Sequence, residues 1–290
     1  MNKISTLAVL GGDSRQIHMA EKLTQLGYGV TMIGFDLAEL PAILPNSTLS
    51  EALPRADGLI LPLPVTRDQK NVNAVFAKKS ISLQTVLQNI RHETPVFCGM
   101  PPLFLTRMLS AHKCPVSDYF NNEELTLRNA MLTAEGILSI LLEALPITVF
   151  GLSCAVVGYG RVAKYTARYL HALGAQVTVF ARSDEARALA QTDYLKTEPL
   201  HCLAEKIAQF DCVINTVPHP VITADAISRS ADRCVFIEVA SAPYGIDAQS
   251  ATECGRLLIK AVSLPGKTAP KTAGEIIAET IHKTITEGLI

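Results

Sequence analysis

Short apolar runs alternate with helical patterns along the whole chain, and the alternation falls into two rounds. In the first round Thr6–Leu10, Gly29–Ile33, Gly58–Leu61 and Pro95–Cys98 read as strands, with a helix from about Ser14 to Leu26 between the first two. Leu125–Arg128 reads as a further strand, and a helix then runs from near Thr133 to Leu145, where Pro146 stops it. In the second round the strands are Ser153–Val157, Gln176–Phe180, Asp211–Asn215, Val235–Val239 and Arg256–Ile259, with helices filling the gaps. After a Pro265-Gly266 turn, a last helix covers about Pro270 to Glu287. Strands that alternate with helices predict parallel sheets covered by helices. The expected fold class is therefore α/β: two Rossmann-like parallel-sheet domains joined by interdomain helices, with the C-terminal helix returning to the first domain.

Composition agrees with that architecture. A length of 290 residues favours two domains, and 48% hydrophobic against 18% charged residues is enough apolar material for two cores. Trp is absent and aromatic residues make up 6%, so aliphatic side chains fill those cores. A formal net charge of -1 implies no strong field, which argues against nucleic acid or an acidic membrane surface as partner. The seven cysteines form no C-x-x-C pair and several sit in apolar runs; they read as reduced, buried thiols of a cytosolic protein. The histidines are dispersed, so no metal cluster is expected. Gly136 to Gly158 carries one charge, Glu143, but Pro146 and Gly151 interrupt it; a helix followed by a buried strand explains it better than a membrane span.

The strongest motif is G-Y-G-R-V-A, Gly158, Tyr159, Gly160, Arg161, Val162 and Ala163, between an apolar strand and an amphipathic helix. Gly158 permits a tight turn, Gly160 lets backbone approach a pyrophosphate, and the helix start supplies free N–H groups and a positive dipole end. Strand, loop, helix and later strands at the right spacing make this a dinucleotide site rather than an ordinary turn. The next strand ends Ala181-Arg182-Ser183, where an acidic residue would favour NAD. Arg182 can pair with a 2′-phosphate and Ser183 can donate to it, so NADP is expected over NAD. Thr216, Val217 and Pro218, after the following strand, and Ala240-Ser241, after the next, are expected to wall the nicotinamide pocket. The expected domains are 1–130 for substrate, 131–150 as an interdomain helix, 151–265 for the dinucleotide, and 266–290 as the C-terminal helix packing toward the first domain.

Two segments offer anion sites for a carboxylate substrate. Gly11-Gly12-Asp13-Ser14-Arg15-Gln16 places Arg15 in the first turn of a helix. Leu264-Pro265-Gly266-Lys267-Thr268-Ala269-Pro270-Lys271-Thr272 crowds lysines and threonines at another helix start, where Lys271 and Thr272 are expected to face the interdomain cleft. Thr133 reads as a helix N-cap, with Asn129 and Glu135 beside it as polar substrate contacts or part of a hinge. His219, between two prolines, reads as a loop histidine in solvent.

G-G-D-S-R-Q, N-A-M-L-T-A-E-G, and L-P-G-K-T-A-P-K-T-A-G occur in that order, with G-Y-G-R-V-A, A-R-S and N-T-V-P in their places. Together they resemble the A subunit of dipicolinate synthase, over essentially the whole chain from about Leu7 to Ile285. The strand ending Glu238-Val239-Ala240-Ser241 departs from that pattern, carrying Glu where Asp is expected, and Lys267 is not at a fixed position, so Lys271 carries more weight. The resemblance implies a fold like that of two-domain hydroxyacid and alanine dehydrogenases. It implies NADP-dependent oxidation of dihydrodipicolinate, a small dicarboxylate, to dipicolinate. It also implies a separately encoded, flavoprotein-like B subunit and the mother-cell cytoplasm during sporulation. The residues by themselves also fit another NAD(P)-dependent dehydrogenase of a small carboxylate, or a non-catalytic NADP-binding protein; homo-oligomerisation stays open.

Overall fold

A computed structural model describes residues 4–289. The chain divides into two compact units. Unit 1 takes the residues up to Arg128 together with those from Ala269 onward, and unit 2 takes Asn129–Thr268.

Unit 1 is built on β1 (Thr6–Leu10), β2 (Gly29–Ile33), β3 (Asn46–Ser47), β4 (Gly58–Ile60), β5 (Val96–Cys98) and β6 (Val116–Asp118), in the spatial order β3-β2-β1-β4-β5-β6. All its pairings are parallel, with Leu7 beside Val30 and Val9 beside Ile60. The central strands are apolar at nearly every position because both sheet faces are covered. Ala8 and Leu10 join Leu59, Val86 and Leu105 in one core.

The helix Ser14–Gln25 buries Gln16, Met19, Ala20 and Leu23, the spacing of one helical face. The C-terminal helix Pro270–Thr286 lies along it. Gly274 makes that approach possible: a Cβ there would collide with the Arg15 carbonyl oxygen and come within 2.8 Å of the Met19 amide nitrogen. The Tyr28 hydroxyl meets His282 Nδ1 at 2.9 Å, and the Arg128 guanidinium donates to Glu279 at 2.7 Å.

Unit 2 repeats the plan. It contains β7 (Ser153–Val157), β8 (Gln176–Ala181), β9 (Lys196–Pro199), β10 (Cys212–Asn215), β11 (Val235–Glu238) and β12 (Leu257–Lys260), ordered β12-β11-β10-β7-β8-β9 and again wholly parallel. The two-residue alternation of β7 feeds two cores: Cys154 and Val156 pack on one side, Ala155 and Val157 on the other. The helix Arg161–Ala172 covers the first side with Ala163, Thr166, Ala167 and Leu170.

Three readings of the sequence need correction. Leu125–Arg128 is not a strand: one continuous helix covers Glu123–Ala144, so Thr133 lies within it rather than capping it. The Thr133 hydroxyl returns its hydrogen bond to the Asn129 carbonyl one turn back, at 2.8 Å. This helix is long and apolar enough to cross a membrane, but Ile137 and Leu141 sit in the unit 2 core, which accounts for its apolar face. Finally, Leu264–Thr268 is a short helix rather than a turn at Pro265-Gly266; it packs on Gly136, where a Cβ would stand 2.8 Å from that of Leu264.

Candidate dinucleotide site

In a doubly wound sheet, ligands collect at the carboxyl ends of the strands, where the strand order reverses. In unit 2 that point lies between β7 and β10. Gly158 leaves β7 at φ 94°, a left-handed conformation that disfavours any side chain. A Cβ there would stand 2.6 Å from Thr216 Oγ1 and 2.9 Å from Val217 Cγ2, so the two loops are in contact. Gly160 is different: a Cβ placed on it would meet no protein atom within 4 Å. It is also the residue preceding the helix Arg161–Ala172, and no side chain caps that helix. Open space, a backbone without side chains and free helix N–H groups are what a pyrophosphate requires. Ala163 is fully buried where the helix meets the sheet, and Val162 packs at the edge of the same core.

Tyr159 has a role the motif alone does not reveal. Its side chain turns into the domain, buried, and its hydroxyl donates to Asp193, which also takes two bonds from Arg168 at 2.8 and 3.1 Å. Burial raises the Tyr159 hydroxyl pKa, and the Asp193 carboxylate raises it further. The residue offers its backbone to the loop and its ring to the fold.

Arg182 is exposed at the end of β8 and borders a cavity of about 360 Å³, with Leu200, Leu203, Val221 and Ala226 as apolar walls and His201 and Thr223 at its rim. No acidic residue lines it. Ser183 caps the following helix, accepting from the Ala186 N–H at 3.2 Å. Arg187 braces the turn by donating to the carbonyls of Ala181 and Arg182, and pairs with Asp184. A larger cavity of about 550 Å³ in unit 1 opens beside Thr6, Gly29, Ser47 and Arg55, at the amino ends of β1 and β2, away from the edge where such folds bind ligands.

The loops after β10 and β11 are tied together by two polar residues that the motifs did not single out as site residues. Asn215 and Glu238, the last residues of those strands, are paired in register and essentially inaccessible, at 0% and 1% exposure. Asn215 Nδ2 donates to Glu238 Oε1 at 2.8 Å, and the Ala240 N–H donates to the same oxygen at 3.0 Å. Thr216 donates its hydroxyl to the Val157 carbonyl at 2.8 Å; Val217 is half-buried beside it, Pro218 is exposed and Ala240 is buried. A polar residue ending an all-apolar strand was the available signal.

In unit 1 the corresponding loop is closed. Asp13 caps the helix Ser14–Gln25, accepting from the Arg15 N–H, while the Gln16 side chain accepts from the Asp13 N–H at 2.8 Å. Arg15 is 5% exposed, not a free surface cation. Its guanidinium donates twice to Asp13 at 2.9 Å and once to the Leu63 carbonyl at 2.6 Å. Lys271 and Thr272 are exposed in the first turn of the C-terminal helix, which no side chain caps. They belong to the same unit as Arg15, not to opposite domains. Asn129 and Glu135 are six residues apart on one helix and so point to different faces, Asn129 half-buried and Glu135 exposed near Tyr169. They do not form one polar cluster.

Comparison with known proteins agrees with this division. Residues 6–120 match the family model of the N-terminal domain of the dipicolinate synthase A subunit, and residues 145–249 match a putative NAD(P)-binding model. The dipicolinate synthase A subunit of Bacillus subtilis is 30% identical over 286 residues, covering 97% of this chain and 96% of that protein. The crystal structure of the Bacillus halodurans A subunit superposes with a TM-score of 0.88 at 26% identity, covering 98% of this chain and 99% of that one. The Bacillus subtilis structure gives 0.86 at 29% identity, covering 99% and 97%. A transhydrogenase from Sinorhizobium meliloti shares the fold, with a TM-score of 0.73 at 14% identity over 97% of this chain and 94% of that one. The chain belongs to the dipicolinate synthase A-subunit family, and its second unit is an NAD(P)-binding domain.

Proposed function

We propose that this chain is the oxidoreductase subunit of dipicolinate synthase, oxidising dihydrodipicolinate to dipicolinate with NADP as hydride acceptor. The observation that carries the reading is the β7 loop: Gly158 in a left-handed conformation, Gly160 facing open space, and an uncapped helix behind them. When bound, NADP supplies the acceptor for a hydride from the substrate ring. The chain's own groups orient the two partners and accept the neighbouring proton; loss of one hydride and one proton balances the aromatisation. Arg182, beside a cavity without acids, favours the 2′-phosphate form over NAD.

Carboxylate binding falls first to Lys271 and Thr272. A lysine in the first turn of a helix opposes the dipole, at a cost of about 0.3–1 kcal/mol, so its placement there suits an anion rather than the fold. The 17-residue helix behind it leaves its first N–H groups without a side-chain cap. Arg15 is largely committed to Asp13 and Leu63, and contributes through Nη1, which has no hydrogen-bond partner among the described residues. Asn129 remains a candidate polar contact. The companion is a second, flavoprotein-like B subunit, and the setting is the mother-cell cytoplasm during sporulation. The test is turnover of dihydrodipicolinate with NADP, followed at the NADPH absorbance and by dipicolinate formation, with and without that companion. NADPH formed in step with dipicolinate is the expected result. No turnover in either mixture, with NADP bound, would make the chain a non-catalytic nucleotide-binding component; a different product would make it another dehydrogenase.

A further inference from the structure

Glu238 is an unusual residue to find inside a Rossmann core. It is a carboxylate at 1% exposure, and among the described residues it has no cationic partner. Burying a carboxylate without a counterion is costly unless donors replace its water. Here four do. Oε1 accepts from Asn215 Nδ2 and the Ala240 N–H, and Oε2 from the N–H groups of Gly245 and Ile246, at 2.7 and 2.9 Å. Three of the four belong to the loop that follows β11, so the carboxylate folds that loop back onto its own strand end.

Asn215 passes the constraint to the neighbouring loop. Its amide donates to the Val217 carbonyl at 3.0 Å and accepts from the Val217 N–H at 3.1 Å, a two-way clasp on the residue after Thr216. Gly245 presses on the same clasp: a Cβ there would collide with the Asn215 amide and stand 2.7 Å from the Val217 oxygen. The Gly245 carbonyl accepts from the N–H groups of Val221 and Ile222, closing the connection on its far side. Val217 in turn stands against Gly158 of the phosphate loop. A line of contacts thus runs from Glu238 through Asn215 and Val217 to Gly158.

We propose that Asn215 and Glu238 form a buried positioning pair that sets the two loops at the nicotinamide end of the cofactor site, without touching the cofactor. The inference rests on the dinucleotide reading above. The pair's polarity explains its identity: every contact Glu238 makes is as an acceptor, so an amide of the same shape would aim N–H groups at N–H groups. Asn215 needs both a donor and an acceptor, which aspartate cannot supply beside a carboxylate.

The test uses Glu238→Gln in the full chain with two probes. 2′,5′-ADP carries the adenosine half of NADP with its 2′-phosphate, and NADPH adds the nicotinamide, whose fluorescence reports its surroundings. The substitution is expected to leave 2′,5′-ADP affinity within about twofold, while weakening NADPH about tenfold, the scale for one lost hydrogen bond to a charged group. Bound NADPH emission should move toward that of the free cofactor. Equal weakening of both probes would reduce Glu238 to a merely structural group, and unchanged NADPH binding and emission would overturn the proposal. Should Glu238→Gln fail to fold, Gly245→Ala decides, because it displaces the clasp while leaving the carboxylate in place; the same split between probes is expected. If wild-type chain binds neither probe, it is the dinucleotide reading that fails.

Discussion

Units 1 and 2 share a plan and differ in what fills it. Each sheet runs, in its own chain order, third, second, first, fourth, fifth, sixth strand. The Gly11 N–H donates to the carbonyl of Ile33 at 2.9 Å, as the Gly158 N–H does to that of Phe180 at 2.8 Å. At the amino edge the likeness extends to side chains: Asp57 accepts from the Ser5 and Thr6 amides, and Asp211 accepts from the Ser153 amide. At the carboxyl edge the likeness stops. Unit 1 plugs its first loop with side chains, Gln16 filling the space beside Gly12 and Asp13 capping the helix, whereas unit 2 leaves Gly160 and its helix start open. Topology creates the crevice in both, and a few side chains decide which one can take a nucleotide.

The sharpest way to break the comparison is to plug the open loop. Gly160→Val puts a branched side chain into empty space, so unit 2 should keep its melting temperature while NADP affinity falls by on the order of 100-fold or more, as several charge-assisted bonds are lost together. Calorimetric titration beside a thermal melt checks both halves; retained affinity in a folded variant would misplace the site. Unplugging unit 1 should hurt stability instead. Asp13→Ala removes a helix cap and strands a buried guanidinium, for a loss of about 3 kcal/mol in denaturant unfolding. A loss under about 0.5 kcal/mol, the scale of ordinary surface substitutions, would mean that the plug is decoration.

Arg182→Asp sharpens the comparison at the second strand. It should weaken NADP by about 1.5–3 kcal/mol and NAD by less, measured by parallel titrations. Equal losses would dismiss the 2′-phosphate contact.

The smallest effect tests the edge that the units share. Burial pushes the Asp57 carboxyl pKa up, but hydrogen bonds from Ser5 and Thr6 outweigh it and hold the group at about 2. A depressed carboxylate stabilises the fold above its unfolded pKa of about 3.9, and that contribution disappears as pH falls toward the folded value. Asp57→Asn should therefore cost on the order of 1 kcal/mol at neutral pH, discounted because the side chain is 34% exposed. The gap from wild type should close between about pH 5 and pH 2. A gap independent of pH would assign the cost to packing.

Sequence made the sheet centres legible because β1, β2, β7 and β8 are apolar runs of five or six residues bounded by glycine or charge. The edge strands Asn46–Ser47, Val116–Asp118 and Lys196–Pro199 leave no such pattern, being short, polar or half-exposed, and held by pairing alone. The start of Glu123–Ala144 is hidden in the sequence because Leu125 and Leu127 alternate like a strand. The phosphate loop was readable since glycine geometry and a helix start are local properties. The Asn215–Glu238 pair spans 23 residues and exists only once two strands are side by side. Arg15 showed the limit in the other direction: the motif announced a cation, and only the fold reveals that Asp13 neutralises it.

The C-terminal helix has a consequence for biosynthesis. A ribosome completes the whole of unit 2 before the residues from Ala269 onward emerge, yet those residues belong to unit 1. Until then the apolar stripe of Met19, Ala20 and Leu23 lacks the partner helix that lies along it in the finished unit. The domain made first is therefore the one finished last, and the inserted nucleotide domain can mature while its host waits. Translation order thus makes the N-terminal unit the aggregation-prone half of any truncated or stalled chain.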